Sequence, residues 1–423
     1  MRAGFYECDI TPPLGGMMWG SYSKDEIGKD VFERLYAKAM VVEQDGEVFA
    51  VVTVDTCALP AAMHDIVTKR IYEYTGIAPE RVCIHSNHTH RGAPVSDDMS
   101  VGCSVDKCYV DVFYRLAADA VILAYKRLDE VTVTYGKSME DSVSFNRNYV
   151  ASDGRIFTFA KDPNAKHLAG IDPDVTVLTF WRDGAPIGTV TNFACHQACT
   201  GHLPGYSGDY SSILSEELKK EFGQNFVSVF LLGTCGDINH VDPNRTEPYG
   251  FFRYREIGKI LACRVLEAMK DAKEIGEGVS VAKESIRIEK RMADLEETKK
   301  RIAELLESDK KLMRLRNIVF YEATNETDHL DLYVQAIRLG DFCLYALPGE
   351  VYVNFGFAIK ERSGYEMKMV VENCNNYCGY IPTEEAFGEN SDLYEATLCH
   401  HSCLVPTAGK QIVEKALELG ERL

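Results

Sequence analysis

Residues 51–90 read VVTVDTCALPAAMHDIVTKRIYEYTGIAPERVCIHSNHTH, and they decide the fold class of this chain. Two short apolar segments, 51–54 and 82–84, have the composition of buried strands. Between them, residues 61–74 carry apolar side chains at helical spacing and stop at Gly76. A strand, a helix and a second strand in this order favour an α/β fold, with functional loops where the strands end.

The alternation of strands and helices continues after this stretch. A helix is predicted over 105–128, with an apolar face formed by Val112, Leu116, Ala120 and Leu123. Asp209 has a side chain suited to a helix N-cap and is predicted to begin a helix that runs to 222. Further predicted elements are a helix over 254–273 and strands over 131–135, 175–181, 188–193, 227–232 and 342–346. We therefore expect mixed β-sheets flanked by helices.

The stretch from about 284 to 316 is more charged than its surroundings. Its apolar residues have helical spacing and predict a helix with one apolar stripe: Met292, Leu295, Ile302, Leu305 and Leu306. The sequence contains neither an internal repeat nor a linker rich in proline and serine. We expect one continuous domain over residues 1–423, with a helical excursion at about 284–316.

Composition excludes several classes of function. The formal net charge is −18 and the pI about 5.1, so no basic surplus is available for binding a nucleic-acid backbone. The first residues lack the basic and apolar regions of a signal peptide, and no apolar run approaches the roughly 18 residues of a membrane span. The 14 cysteines are scattered and read as reduced thiols. These features predict a cytoplasmic protein without a transmembrane segment.

Two histidine motifs follow predicted strands. In an extended chain His88 and His90 point to the same side, which suits one metal ligand and one imidazole that contacts substrate, or two ligands. His196 closes the strand 188–193. Cys195 and Cys199 flank it and could form a structural zinc site. Their three-residue spacing, however, is not that of a zinc ribbon.

Two later motifs complete the set of candidate residues. Glu350 follows a Pro-Gly turn that can direct its carboxylate into a cleft. Tyr377 and Tyr380 precede Thr383 in a loop rich in aromatic residues. The chain lacks a G-x-S-x-G nucleophile elbow, a P-loop and a dinucleotide-binding fingerprint, so no other chemistry has a recognisable signature.

Taken in order, these motifs resemble those of the neutral ceramidase family. The resemblance spans nearly the whole chain. The matching segments are Gly4, 8–12 (CDITP), 34–39 (RLYAKA), Asp55, 88–94 (HTHRGAP), 146–147 (NR), 192–196 (NFACH), 207–209 (SGD), 236–237 (GD), 348–350 (PGE), 376–380 (NYCGY), Thr383-x-Glu385 and 394–396 (YEA).

The resemblance implies a zinc-dependent amidohydrolase that cleaves a small-molecule N-acyl substrate with a zinc-activated water. Carried over by position, the Zn2+ ligands are His88, His196, Glu350 and Tyr380. The residues around the scissile amide are His90, Arg147 and Tyr394. Arg147 and a phenol or imidazole donor would stabilise the oxyanion, and His90 would carry the proton to the leaving amine.

This chain departs from the family pattern in three ways. Asn239 replaces a serine of the family and His240 is an added polar group, while Ala386 and Phe387 follow the second glutamate of the tail motif where the family has a tyrosine. The chain ends at Leu423 after a predicted helix, so we expect the catalytic domain without a C-terminal immunoglobulin-like domain. A substrate smaller or more polar than ceramide is therefore expected.

Two alternatives to an amidase stay open from the sequence. An ester or lactone hydrolase could use the same zinc site, because both reactions form the same oxyanion. A non-catalytic metal-binding protein is the other alternative. The chain could also form a homo-oligomer, and nothing in the sequence decides this.

Overall fold

A computed structural model describes residues 1–20, 26–96, 104–159, 164–242, 245, 247, 249–306, 315–316, 318–319, 321–322 and 326–423. The strands in chain order are β1 Arg2–Asp9, β2 Tyr36–Gln44, β3 Glu47–Val54, β4 Val82–Ser86, β5 Asp129–Glu130, β6 Thr132–Met139, β7 Phe145–Asn146, β8 Asn148–Val150, β9 Ile156–Thr158, β10 Lys166–His167, β11 Asp174–Arg182, β12 Ala185–Phe193, β13 Val227–Leu232, β14 Ile238–Asn239, β15 Lys273–Glu274, β16 Val279–Glu289, β17 His329–Leu339, β18 Phe342–Ala346, β19 Glu350–Val351, β20 Met367–Val371 and β21 Tyr380–Ile381.

The α-helices of the described residues are α1 Ala61–Thr75, α2 Lys107–Tyr125, α3 Asp209–Phe222, α4 Arg253–Lys270, α5 Leu295–Ala303, α6 Val353–Arg362 and α7 Ala408–Glu421. Three short 3-10 helices occupy Pro79–Arg81, Glu384–Phe387 and Tyr394–Ala396. None of the described helices has the length and hydropathy needed to cross a membrane.

Three larger sheets form the framework. Their strand orders are β4-β3-β2-β1-β5, β13-β12-β11-β6-β15 and β16-β17-β18-β20. Most neighbours are antiparallel, but each sheet contains one parallel pair: β3 with β4, β12 with β13, and β18 with β20. This mixture of sheets and helices confirms the predicted α/β class.

One apolar core lies between the three sheets, and helices cover their other faces. Val51 of the first sheet, Leu178 of the second and Leu344 of the third meet in the shared core. Since alternate residues of a strand point to opposite faces, the neighbouring Val52 instead packs under α1 and α2. Helices α3 and α4 cover the second sheet, and α6 and α7 cover the third.

The elements predicted from residues 51–90 are confirmed. The strand 51–54 lies in β3, the strand 82–84 lies in β4, and the helix 61–74 is α1. Gly76 ends α1 at a φ of 75°, and its N–H donates to the carbonyl of Tyr72. Glycine adopts this left-handed conformation without a steric penalty, which explains why the helix stops there.

Two helix details were predicted incorrectly. Val112 is 49% exposed, because Phe113 and Ala117, one position further along, form the buried stripe of α2. Gly208 rather than Asp209 occupies the N-cap of α3. Asp209 has a φ of 59° and accepts hydrogen bonds from the amide and hydroxyl of Thr200, so it holds the preceding loop.

The helical excursion begins later than predicted. Residues 284–289 belong to β16, in which exposed Ser285 and Arg287 alternate with the packed Ile286 and Ile288. That period of two is the pattern of a strand. Within the segment, α5 and residues 315–316 are helical, and residues 307–314 lie outside the described residues. The thirteen described cysteines are all free thiols.

Candidate functional site

The three larger sheets each deliver one candidate ligand to the same place. His88 follows β4, His196 follows β12, and Glu350 lies just after β18, at the start of β19. Each of these large-sheet strands has a parallel partner, and loops at the carboxyl ends of such strands are the usual location of ligand sites in α/β folds. The predicted functional loops at strand ends are therefore present.

The donor atoms of these three residues converge. The Nε2 atoms of His88 and His196 lie 2.9 Å apart. Oε2 of Glu350 lies 3.3 Å from Nε2 of His88 and 3.8 Å from Nε2 of His196. All three side chains are at most 2% exposed. They form one of the groups of described residues that could hold a metal ion.

The tautomers of the two imidazoles follow from their other contacts. Nδ1 of His88 lies 2.5 Å from the carbonyl oxygen of Cys57, and Nδ1 of His196 lies 3.4 Å from that of Cys235. A carbonyl only accepts, so each Nδ1 carries the hydrogen and each Nε2 has a free lone pair. Oxygen Oε2 of Glu350 is also buried without a hydrogen-bond partner among the described residues.

Two lone pairs and a carboxylate oxygen in contact require a positive charge between them. A proton can supply it: burial opposes protonation, but Cys57 and Glu350 raise the pKa of His88 well above its ordinary value. A divalent cation supplies it better, because neutral imidazole and carboxylate are standard zinc ligands. The donor set therefore fits the metal that the sequence predicts.

A left-handed backbone at His88 directs its ring into this site. The residue has a φ of 67°, which is unfavourable for any residue other than glycine. Its neighbours fix the turn: Nδ2 of Asn87 donates to Asp55 at 2.7 Å, and the hydroxyl of Thr89 donates to the carbonyl of Ser207 at 2.6 Å. Backbone strain of this kind persists where the surrounding contacts hold the residue in place.

Further hydrogen bonds orient the carboxylate of Glu350. The hydroxyl of Tyr377 donates to Oε1 at 2.5 Å, which leaves Oε2 facing the two histidines. Burial alone would raise the pKa of Glu350, but His88 lowers it to about 2, so the group is ionised. Glu372 accepts from the amides of Cys235, whose carbonyl contacts His196, and of Val351, the neighbour of Glu350.

Tyr380 lies beside Glu350 on the neighbouring strand, because the two residues are direct partners in the parallel pair β19–β21. Its hydroxyl is 3.5 Å from that of Tyr394, and Arg147 lies over both rings, 5.6 Å and 5.3 Å from their centroids. The guanidinium donates to Glu395 at 2.9 Å and to the carbonyl of Gly236 at 2.6 Å. Arg147 is therefore a buried, fixed cation next to the two phenols.

His90 adjoins the donor set without joining it. Its Nε2 lies 3.3 Å from Nε2 of His88, and its ring centroid is 5.1 Å from that of His196. The donor group that contains Glu350 consists of His88, His196 and Glu350, whereas His90 groups with Cys57 and His88. This geometry favours the first of the two predicted arrangements, one ligand and one neighbouring imidazole.

The structure also places the remaining sequence candidates. Asn239 is buried, and its side chain accepts from the amide of Val241, which closes a local turn. Nδ1 of His240 is buried without a hydrogen-bond partner among the described residues. Cys195 and Cys199 belong to none of the candidate metal groups in the described part of the chain, so the structural cysteine site is not supported there.

Sequence reasoning gave no role to Tyr377, Glu372 or Glu395. Tyr377 and Glu395 each hydrogen-bond a candidate residue, Glu350 and Arg147 respectively, while Glu372 accepts from the amide of Val351, next to Glu350. Tyr377 and Glu395 stand in segments that the motif comparison had singled out. Glu372 carried a weaker signal: it is the acidic residue that directly follows the apolar strand β20.

Comparison with known proteins agrees with this description. The model of the N-terminal part of the neutral/alkaline non-lysosomal ceramidases matches residues 2–249, more than half of the chain. No curated protein sequence matches the chain. Among solved structures, the neutral ceramidase from Pseudomonas aeruginosa is similar over 100% of this chain and 75% of its own, with a TM-score of 0.79 and 19% identity. A ceramidase complexed with C2 has a TM-score of 0.78 and 18% identity over the same shares.

At these identities the solved structures show a shared fold, which is the one predicted. The family match and the convergence of the motifs then lead to one conclusion. The chain belongs to the neutral/alkaline non-lysosomal ceramidase family.

Proposed function

We propose that this protein is a zinc-dependent amidohydrolase that cleaves the C–N bond of a linear N-acyl amide. The observation that carries this proposal is the convergence of two imidazole lone pairs and an unpaired carboxylate oxygen at His88, His196 and Glu350. We assign Tyr380, the strand partner of Glu350, as the fourth ligand. When bound there, a zinc ion acidifies a water molecule and polarises a carbonyl.

Arg147 is the group we assign to the developing oxyanion. Its charge is permanent, and its hydrogen bonds to Glu395 and Gly236 hold it in place before substrate arrives. A donor fixed in advance stabilises a transition state without the cost of reorganisation. The hydroxyl of Tyr394, which lies in the same cluster, would add a second donor.

His90 is the group we assign to the proton that leaves with the amine. Its imidazole is adjacent to His88 and only partly buried, so it can reach substrate from the outer side of the centre. An amine is a poor leaving group until it is protonated, whereas the alcohol that leaves an ester depends less on protonation. A proton carrier placed here favours an amidase over an ester or lactone hydrolase.

The rim of the site suggests a small-molecule substrate with polar groups. Half-buried polar side chains contact the proposed ligands: His90, Tyr377, Tyr394 and His401. These side chains can donate and accept hydrogen bonds. We therefore propose that the substrate is an N-acyl compound more polar than ceramide. We also propose that the protein acts in the cytoplasm, as its sequence predicts.

Metal analysis combined with a substrate panel tests the proposal. Purified protein should contain zinc and should hydrolyse N-acyl amides faster than matched esters, and a chelator should abolish the activity. His88→Ala and Glu350→Ala should lose both metal and activity, while His329→Ala, at the partly exposed start of β17, should keep both. Metal binding without hydrolysis of any amide or ester would instead support a non-catalytic protein.

A panel that extends from short polar N-acyl compounds to ceramide would locate the substrate. Faster turnover of the polar members is expected. A clear preference for ceramide would contradict the polar-substrate part of the proposal and leave the amidase part intact.

A further inference from the structure

A tight turn at residues 399–402 lies beside the candidate metal centre. Cys399 and Ser402 exchange backbone hydrogen bonds of 3.2 Å and 3.0 Å across it. The amide of Tyr380 donates to the carbonyl of His401 at 2.8 Å, so the turn is attached to the strand that carries a proposed ligand. The ring of His401 is 6.1 Å from that of Tyr380 and nearly perpendicular to it.

This turn brings together three side chains with metal-binding chemistry. One donor atom each from Cys399, His400 and His401 lies within 4.8 Å of the others. The two imidazole rings stand 4.9 Å apart at 86° to each other. Cys399 is 3% exposed while both histidines are half-buried, so the group has an inner thiol and a side open to solvent.

We propose that Cys399, His400 and His401 form a second metal site, distinct from the catalytic centre, for a borderline-soft divalent cation such as Zn2+. A thiolate and two neutral imidazoles form a donor set that zinc prefers. The Cys399 thiol gives its proton to solvent as the sulfur–metal bond forms. Three protein ligands leave one position for water, on the side where the histidines are exposed.

The distances allow such an ion. Donor atoms that share a tetrahedral zinc lie about 3.3–3.8 Å apart, given zinc–nitrogen and zinc–sulfur bonds of about 2.1 and 2.3 Å. The three donor atoms lie within 4.8 Å of one another, so the shift needed to share one ion is at most roughly 1–1.5 Å. Rotation of two half-exposed imidazoles supplies a movement of this size, because their side chains are not enclosed by a core.

The site shares no residue with the proposed catalytic ligands. None of its three residues belongs to the group formed by His88, His196 and Glu350. The catalytic donor set contains only nitrogen and oxygen atoms, whereas the second site contains sulfur. This difference makes the two ions distinguishable by spectroscopy.

Cobalt substitution of the full-length protein tests the proposal. Metal-free protein loaded with Co2+ should bind two ions per chain and show a thiolate-to-cobalt charge-transfer band in the near ultraviolet. Cys399→Ser should bind one ion and lose the band. His88→Ala should also bind one ion but keep the band, since it removes only the catalytic site.

Two further variants secure the interpretation. His400→Ala changes a half-exposed side chain, so it should retain the wild-type melting temperature while it loses one ion. Cys57→Ser is the matched control, because Cys57 is the thiol next to His88, and this variant should keep the band.

Binding of a single ion by the wild-type chain without a thiolate band overturns the second site. A band that survives Cys399→Ser and disappears in Cys57→Ser does so too. A thiolate-bound ion in a wild-type protein that hydrolyses nothing would instead support the second site and refute the proposed catalytic function.

Discussion

The hydroxyl of Tyr377 donates a 2.5 Å hydrogen bond to Oε1 of Glu350, while Oε2 of the same carboxylate faces His88 and His196. We expect Tyr377→Phe to weaken metal binding about 10–100-fold, as is typical when the partner of a metal ligand is removed. Competition with a chromophoric chelator would measure the affinity. Tyr365→Phe, far from the site, is the control, and equal affinities in both variants would show that Tyr377 does not orient the ligand.

Arg147 and Glu395 form a buried ion pair, with side chains 3% and 0% exposed. Arg147→Met leaves the Glu395 carboxylate unpaired and should lower the free energy of unfolding by about 3–5 kcal/mol. Adding Glu395→Gln should restore most of the stability and none of the turnover, because the charge proposed for the oxyanion is still missing. Urea unfolding and kcat measure the two effects.

An exposed ion pair provides the comparison for this prediction. Arg155 pairs with Asp153 at the surface, and Arg155→Met should cost less than about 1 kcal/mol. Recovery of activity in the Arg147→Met/Glu395→Gln double variant would remove Arg147 from the proposed chemistry.

Gly20 is packed against His90. A Cβ atom added to Gly20 would lie 2.4 Å from Cα of His90, and the φ of Gly20 is 124°. Gly20→Ala should therefore displace His90 and lower turnover by about 10–100-fold, since displacements near 1 Å have effects of that size. Metal content should stay at the wild-type level, because His90 is outside the donor group.

Gly15 is the matched control for that substitution. It also has a positive φ, of 91°, but an added Cβ would meet nothing within 4 Å. Gly15→Ala should cost stability of about 1 kcal/mol through backbone strain and leave turnover unchanged. Equal turnover in the two variants would contradict the role proposed for His90.

Burial raises the pKa of Glu372 to about 8. In the unfolded chain a glutamate releases its proton near pH 4.3. The folded state keeps the proton to higher pH, so this group destabilises it progressively as the pH rises from about 4.3 to about 8, by up to about 1.4 kcal/mol per pH unit. Glu372→Gln cannot titrate and should gain stability relative to the wild type across that range.

Urea unfolding of metal-free protein between pH 5 and pH 8 would measure this difference. A glutamine oxygen can still accept from the amides of Cys235 and Val351, so the fold is retained. The free energy of unfolding of Glu389→Gln, a change at an exposed position, should follow that of the wild type across this pH range. If the free energy of unfolding of Glu372→Gln also followed that of the wild type across this range, Glu372 would be ionised in the folded protein.

Local pattern predicted most of the fold. Strand 51–54, helix 61–74 and strand 82–84 are each specified by neighbours in the sequence, through periodicity and a glycine stop. Val112 was wrongly placed on the buried face of α2 because Val112 and Phe113 are both apolar, and only packing decides which one is buried. The meeting of three sheets at one core depends on contacts between distant segments, which periodicity does not report.

The candidate site could be predicted only in part from the sequence. His88, His196 and Glu350 were identified by the order of their motifs, and the structure brings their donor atoms together. The roles proposed for Tyr380, His90, Arg147 and Tyr394 stay predictions. Tyr377 was given no role and Glu372 was missed because both act through hydrogen bonds to residues far away in the sequence.

The origin of the three donors in three different sheets has a consequence for how the protein is assembled. A cation at His88, His196 and Glu350 joins the ends of β4, β12 and β18. It can bind strongly only after all three sheets have docked, so bound metal reports complete tertiary assembly. By mass action the same ion stabilises the whole chain rather than one loop. Occupancy of this site by added metal, measured apart from any other bound ion, would thus report how completely the three sheets are assembled.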